Sequence, residues 1–369
     1  MKNNRLTISA FKSSENLFKI EVFSIFAILL FFSCDGSSNN DETNSTPSNL
    51  VFSVEVLGTS TSNPSGDGSG KVILNFSAEN ATSYKVNLGN GQIIETSAKT
   101  IPYTYIGKGT NTYEIFVSAY NADKFISSSK FIIIYVAPAL VWADEFNTDG
   151  GPDNTKWGYD LGAGGWGNNE SQYYTKRSDN VIVEGGFLKI TAKKEDYQGS
   201  QYTSARMLTA GKFDFKYAKV EVRAKLPEGG GTWPAIWMLG SSINTIGWPA
   251  CGEIDIMEHA GNRQGTVQSA MHTTSSSGNT INLGSQFIST VSTEFHVYSV
   301  EWTSEKMVFS VDGVAHYTYN PPTKNSSTWP FNANQFIILN VAMGGSFGGV
   351  IDPEFTSSTM EVDYVRVYQ

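Results

Sequence analysis

The sequence predicts an all-β chain built as two sandwiches, a small one followed by a large one. Three observations carry that reading. At 369 residues the chain exceeds a typical single domain. Aromatic residues make up 13% of it and glycines number 35, a composition suited to strands joined by many turns. Apolar positions alternate with polar ones at a period of two, as Val220, Val222 and Ala224 do against Glu221, Arg223 and Lys225.

The first residues read as an address rather than a fold. Lys2, Arg5, Lys12 and Lys19 precede the apolar stretch Val22 to Phe32, which is too short to span a membrane as a helix and suits the apolar centre of an export signal. The stretch ends at Phe31-Phe32-Ser33-Cys34. A cysteine directly after a small residue there resembles a bacterial lipoprotein signal, in which residues 1–33 are removed and Cys34 carries the lipid. Phe32 departs from the commoner aliphatic pattern, and plain cleavage with secretion is the alternative. The expected location is the bacterial cell envelope, on the outer membrane or cell surface, with the lipid as the only membrane contact. Residues 34–50 are dominated by Ser, Asn, Asp and Thr and read as a flexible tether.

Residues 51–137 form the first sandwich in this reading. Val72 to Phe76, Tyr84 to Leu88, Tyr103 to Tyr105 and Tyr113 to Val117 are short strand patterns, and Asn90-Gly91 signals a hairpin. Such a run suggests a small immunoglobulin-like β-sandwich, and it looks like a PKD-type domain. Its role is expected to be that of a spacer. All eight tryptophans lie from Trp142 onward, so the segment has no indole for stacking on sugar.

Residues 138–369 continue in strands and turns. Asp312-Gly313 joins Met307 to Val311 with Val314 to Tyr317 as a hairpin, and the whole fits one large β-sandwich. Within it, Gly252-Glu253-Ile254-Asp255-Ile256-Met257-Glu258-His259 places three carboxylates inside an apolar run. Unpaired charge is costly there. On a strand Glu253 and Asp255 share one face while Ile254 and Ile256 take the other. Glu258 would fall with the isoleucines unless a β-bulge at Ile256-Met257 returned it to the acidic face, and bulges collect beside active sites.

An acidic row of this kind suits glycoside hydrolysis, where one carboxylate attacks the sugar and a second carboxylic acid protonates the leaving oxygen. Like charges held close cannot all ionise, so one glutamate is expected to keep its proton. A carboxylate metal site and a charged edge strand are the competing readings. Ile-x-Ile on the reverse face argues against an edge, and the hydrophobic run argues against a hard-metal loop.

At this point the chain resembles glycoside hydrolase family 16, in the bulged form of the signature seen in laminarinases, agarases and carrageenases. The laminarinases are most similar, through Gly165 to Thr175, Ser204-Ala205-Arg206, Gly231 to Gly240 and Asn340 to Gly345, in that order. Ser171 departs from the Leu or Ala of many relatives. The resemblance covers about Leu140 to Gln369 and implies a concanavalin A-like jelly roll with an open cleft. It implies Glu253 as nucleophile, Glu258 as acid/base and Asp255 as the residue that tunes them. By the same resemblance Trp233, Trp237 and Trp248 line the cleft, Asn168 and Arg206 bind sugar hydroxyls, and His272 belongs to the cleft wall. Trp142, Trp157 and Trp302 are expected in the core. A structural calcium is implied at Glu145, the Gly186 carbonyl and Asp363, with no cofactor for catalysis.

The implied activity is endo-hydrolysis of β-1,3-glucosidic bonds in laminarin-like glucans by a monomeric retaining enzyme. Mixed-linkage β-glucan or red-algal galactan is the neighbouring reading, and a non-catalytic glucan-binding protein is the reading from another class. Formal net charge is -9, which disfavours nucleic acid and anionic polysaccharide and is indifferent to a neutral glucan. The chain has two cysteines, and with Cys34 lipidated Cys251 has no partner. No basic neighbour is placed to form its thiolate, so a buried structural thiol is expected.

Overall fold

A computed structural model describes residues 45–369. The export signal, Cys34 and most of the tether lie outside the described residues. Among the described residues no helix is long and apolar enough to cross a membrane.

The first seven strands make two antiparallel sheets. One orders Ser48–Val56, Lys71–Glu79 and Thr100–Thr104; the other orders Ile93–Thr96, Ser83–Asn87, Gly109–Asn121 and Lys124–Val136. Alternation decides what they bury: Leu74, Val86, Ile115, Val117 and Ile134 are sealed in one apolar core. The Asn90-Gly91 hairpin forms with a longer loop than a two-residue turn. Asn87 pairs with Ile93, and the Leu88 N–H donates to Gln92 O across the loop.

The remaining strands make a ten-stranded and a seven-stranded sheet around a second core. Val220, Val222 and Ala224 face it from the larger sheet, as their spacing requires, and Ile236, Met238, Ile254 and Ile256 face it from the smaller. Trp157 and Trp302 are fully buried and Trp142 packs against the same core. Asp312-Gly313 makes the expected tight hairpin. Val311 pairs with Val314, and both turn residues are left-handed, at φ 50° and 78°.

The seven-stranded sheet runs Leu283–Phe287, Thr266–His272, Glu253–His259, Thr232–Gly240, Gln335–Met343, Arg206–Leu208, Gly158–Asp160. Its first edge packs on the last strand of the larger sheet, Val314–Tyr319. A Cβ at Gly284 would lie 2.6 Å from the Tyr317 Cβ, so glycine is what permits that approach. The strand Glu253–His259 therefore lies inside the sheet, where its two flanking partners fix its register.

Candidate active site

The strand pairing contains the expected bulge. Asp255 pairs with Ala270, but Glu258 pairs with Gln268, so Ile256 and Met257 together oppose Ser269. On the other side the register slips at the same place, from Met257–Ile236 to Asp255–Trp237. Directly paired residues of an antiparallel sheet share a face. A continuous row then crosses the sheet through Asp160, Arg206, Asn340, Ala235, Glu258, Gln268 and Ser285. A second row carries Trp237 and Asp255, and a third carries Leu239, Glu253 and His272. Glu253, Asp255 and Glu258 stand on one face, as the sequence reading required.

Each glutamate has an indole donor. Trp248 Nε1 donates to Glu253 Oε2 at 3.1 Å, and Trp233 Nε1 donates to Glu258 Oε1 at 3.0 Å. His272 stands between the first two acids, with Nε2 3.1 Å from Asp255 Oδ2 and 3.6 Å from Glu253 Oε1. The Gly278 N–H donates to the ring's Nδ1 at 3.1 Å, so the neutral imidazole carries its hydrogen on Nε2, the nitrogen that faces the carboxylates. Three potential ligand atoms of Glu253, Asp255 and His272 lie within 4.8 Å of one another. With a hydrogen on Nε2 the ring offers no lone pair there, so this geometry serves proton sharing better than metal binding.

Burial, then repulsion from Asp255, pushes both Glu253 and Glu258 up to about 8. Burial alone pushes Asp255 up to about 8. Glu253 keeps the most contact with solvent, with 17% of its side chain exposed against 5% for Asp255. The positive field of Arg206 also favours its anion. Of the three it is the group best placed to hold charge, while Glu258 is 9% exposed. With all three pushed up, the cluster holds its protons more tightly than free carboxyls do, and Glu253 is the member placed to give up its proton first, leaving Glu258 as the acid.

The aromatic and polar residues expected around the acids gather on the same face. Arg206 lies between the rings of Trp166 and Trp237, 5.1 and 4.7 Å from their centroids, with Nε 3.0 Å from Asp160 Oδ2. Trp237 Nε1 donates to Asn340 Oδ1 at 2.7 Å, and Asn340 Nδ2 donates to the Tyr174 hydroxyl at 3.1 Å. That hydroxyl donates to Glu170 Oε2 at 3.2 Å, and Asn168 Nδ2 donates to Glu170 Oε1 at 3.1 Å. Trp248 is largely exposed, free to present a flat apolar face to a sugar. Sequence reading did not single out Asp160, Trp166, Glu170, Tyr174, Gln268 or Asn340. Four of them, Trp166, Glu170, Tyr174 and Asn340, lie inside the motifs that carry the family resemblance; only the pairing across distant strands shows that they join one network.

Glu145, Gly186 and Asp363 lie away from these rows. Arg366 donates to both oxygens of Glu145 at 2.8 Å, and Arg223 Nη1 donates to Asp363 Oδ2 at 2.6 Å. Each carboxylate is matched by a guanidinium, so the set as arranged does not fit a calcium ion. Cys251 is buried, and burial followed by the Glu253 charge pushes its thiol up to about 11, in line with a structural role.

Residues 168–366 match the glycosyl hydrolases family 16. The chain is 45% identical over 242 residues to a β-glucanase of Rhodothermus marinus, spanning 62% of this chain and 85% of that protein. It is 36% identical over 248 residues to a glucan endo-1,3-β-glucosidase of Cryptopygus antarcticus, spanning 62% of this chain and 90% of the relative. A laminarinase crystal structure from Flavobacterium sp. UMI-01 aligns with a TM-score of 0.59 at 48% identity, spanning 62% of this chain and 100% of the other. The matched stretch contains the bulged acidic strand and its neighbours in those rows from Arg206 to His272 and Asn340, and these relatives are covered over most of their own length: the chain belongs to glycosyl hydrolase family 16.

Proposed function

We propose that the protein cuts internal β-1,3-glucosidic bonds of laminarin-like glucans by a retaining double displacement. The observation that carries this is the bulge at Ile256-Met257, which sets Glu258 on the same face as Glu253 with Asp255 between them. Glu253 attacks the anomeric carbon while Glu258 gives its proton to the departing glycosidic oxygen, and the bond to the leaving sugar breaks. Glu258 then takes a proton from water, whose oxygen attacks the same carbon and releases Glu253. The Nε2–H of His272 and the indole N–H groups of Trp248 and Trp233 keep the carboxylates oriented through both steps. Trp233, Trp237 and Trp248 offer flat faces to sugar rings, and Asn168 and Arg206 offer donors to hydroxyls.

Replacing Glu253 or Glu258 by Gln removes a reacting group and leaves the packing. Each variant is expected to lose at least about 10²-fold in kcat on laminarin while still binding it. Proton NMR of the first product formed should show retained anomeric configuration. Wild-type turnover in either variant, or inverted product, would overturn the assignment. Digestion of laminarin, barley β-glucan and agarose in parallel decides the substrate. Faster release of sized oligosaccharides from barley glucan or agarose would replace the β-1,3 reading with a mixed-linkage or galactan one.

We further propose that Cys34 anchors a monomeric enzyme to the cell envelope, with the tether and residues 51–137 extending residues 138–369 toward polymer outside the cell. The signal pattern before Cys34 supports it. Recovery of the mature protein from the medium without lipid would replace anchoring by secretion.

A further inference from the structure

The bulge needs something to hold it. Ile256 and Met257 face the single Ser269, a two-against-one arrangement that leaves the backbone ladder locally disrupted. Ser269 alternates with Gln268 and Ala270, so its side chain turns away from the acids and into the core, beside Val267 and Met271, where it is fully buried. There its hydroxyl donates to the Ile256 carbonyl at 2.7 Å. The same oxygen lies 3.0 Å from His316 Nε2. A hydroxyl has one hydrogen, and with that hydrogen on Ile256 the oxygen accepts from the imidazole N–H.

His316 belongs to the other sheet and is itself the extra residue of a bulge. The pairing passes from Phe309–Tyr317 to Ser310–Ala315, leaving His316 with no residue opposite. That irregularity re-aims its ring toward Ser269. Burial lowers the ring's pKa, which keeps it neutral with a hydrogen to give. Two bulges, one in each sheet, are therefore joined by a chain of two hydrogen bonds that ends on the backbone two residues before Glu258.

We infer that Ser269 and His316 are positioning residues that hold the bulge and thereby aim Glu258 at the glycosidic oxygen. In a regular strand Glu258 would point into the core with Ile254 and Ile256, so the acid's aim depends on the bulge's shape. The bond from Ser269 favours that shape, and His316 fixes the direction of the serine's hydrogen. Neither side chain touches substrate. The inference rests on Glu258 being the acid/base.

The test compares Ser269→Ala with wild type in the full chain, reading kcat/KM on laminarin and on a dinitrophenyl β-glucoside whose leaving group needs no proton. A misplacement of about 1 Å can cost about 10²-fold, so laminarin hydrolysis should fall about 10- to 100-fold. The activated substrate should lose less than about 3-fold, because its first step does not use Glu258. In a Glu258→Gln background the same substitution should cost nothing further on laminarin. His316→Leu should copy Ser269→Ala, and His316→Gln, which keeps an N–H donor, should restore most of the activity. Equal losses on the two substrates, additive losses with Glu258→Gln, or undiminished laminarin hydrolysis in Ser269→Ala would each overturn the inference. If Glu258→Gln alone turned over laminarin normally, the assignment of the acid would have failed instead.

Discussion

Glu253, Asp255 and Glu258 lose water on folding and gain no full cationic partner, which is why all three are pushed up to about 8. A carboxyl whose folded pKa lies above its unfolded value binds more protons when folded. Its contribution to stability is whole below pH 4.5, the ordinary value for a glutamate, and drains away as pH rises through 8. Glu258→Gln removes one such group and keeps the size of the side chain. The variant should melt within a degree of wild type at pH 4 and higher than wild type at pH 8, by roughly 2–4 °C for about 1 kcal/mol. Equal melting temperatures at both pH values would show that the cluster's ionisation is not strained. At this scale the sequence was legible for the acids, because period two and one bulge sufficed to predict their face. It was silent on Glu170 and Tyr174, whose meaning depends on partners such as Asn340, 166 positions further along the chain from Tyr174.

Among the elements, the short strand Gln172–Tyr174 has an influence out of proportion to its length. Tyr174 is fully buried, and its hydroxyl joins Glu170 to Asn340 and so to Trp237. Tyr174→Phe leaves the Asn340 amide and Glu170 short of a partner, and unpaired buried polar groups are worth about 1–3 kcal/mol. Trp237 and Asn168 would lose their alignment while the glutamates kept theirs. The expected result is a several-fold rise in KM for laminarin with kcat little changed, together with a lower melting temperature; a fall in kcat alone would move Tyr174 into the chemistry. Hairpins such as Asp312-Gly313 were legible because two residues determine them. The order of seven strands was not, since pairing between Arg206–Leu208 and Gln335–Met343 leaves no local trace.

For the whole molecule, the two apolar cores share no residue, the first ending at Val136 and the second beginning at Phe146. A chain starting at Pro138 keeps the entire second core and every residue placed on the acidic face. It should express as a soluble protein and hydrolyse soluble laminarin at a rate within about 2-fold of the full chain, since no reacting group is removed. Activity lost without unfolding would show that residues 51–137 contribute to the substrate site. The large sandwich was legible chiefly through its ordered motifs. The smaller one was legible only as strands and turns, because it buries its core without residues that carry chemistry.

Cys251 gives this enzyme a clock. The thiol is buried two residues before Glu253 and its pKa is raised to about 11, so an alkylating reagent can reach a reactive thiolate only when that end of the strand comes away from the sheet. The labelling rate thus counts openings of the segment that carries Glu253, without any probe having to be introduced. A laminari-oligosaccharide lying over Glu253 should slow the label in proportion to its occupancy, and a sugar that binds elsewhere should leave the rate untouched.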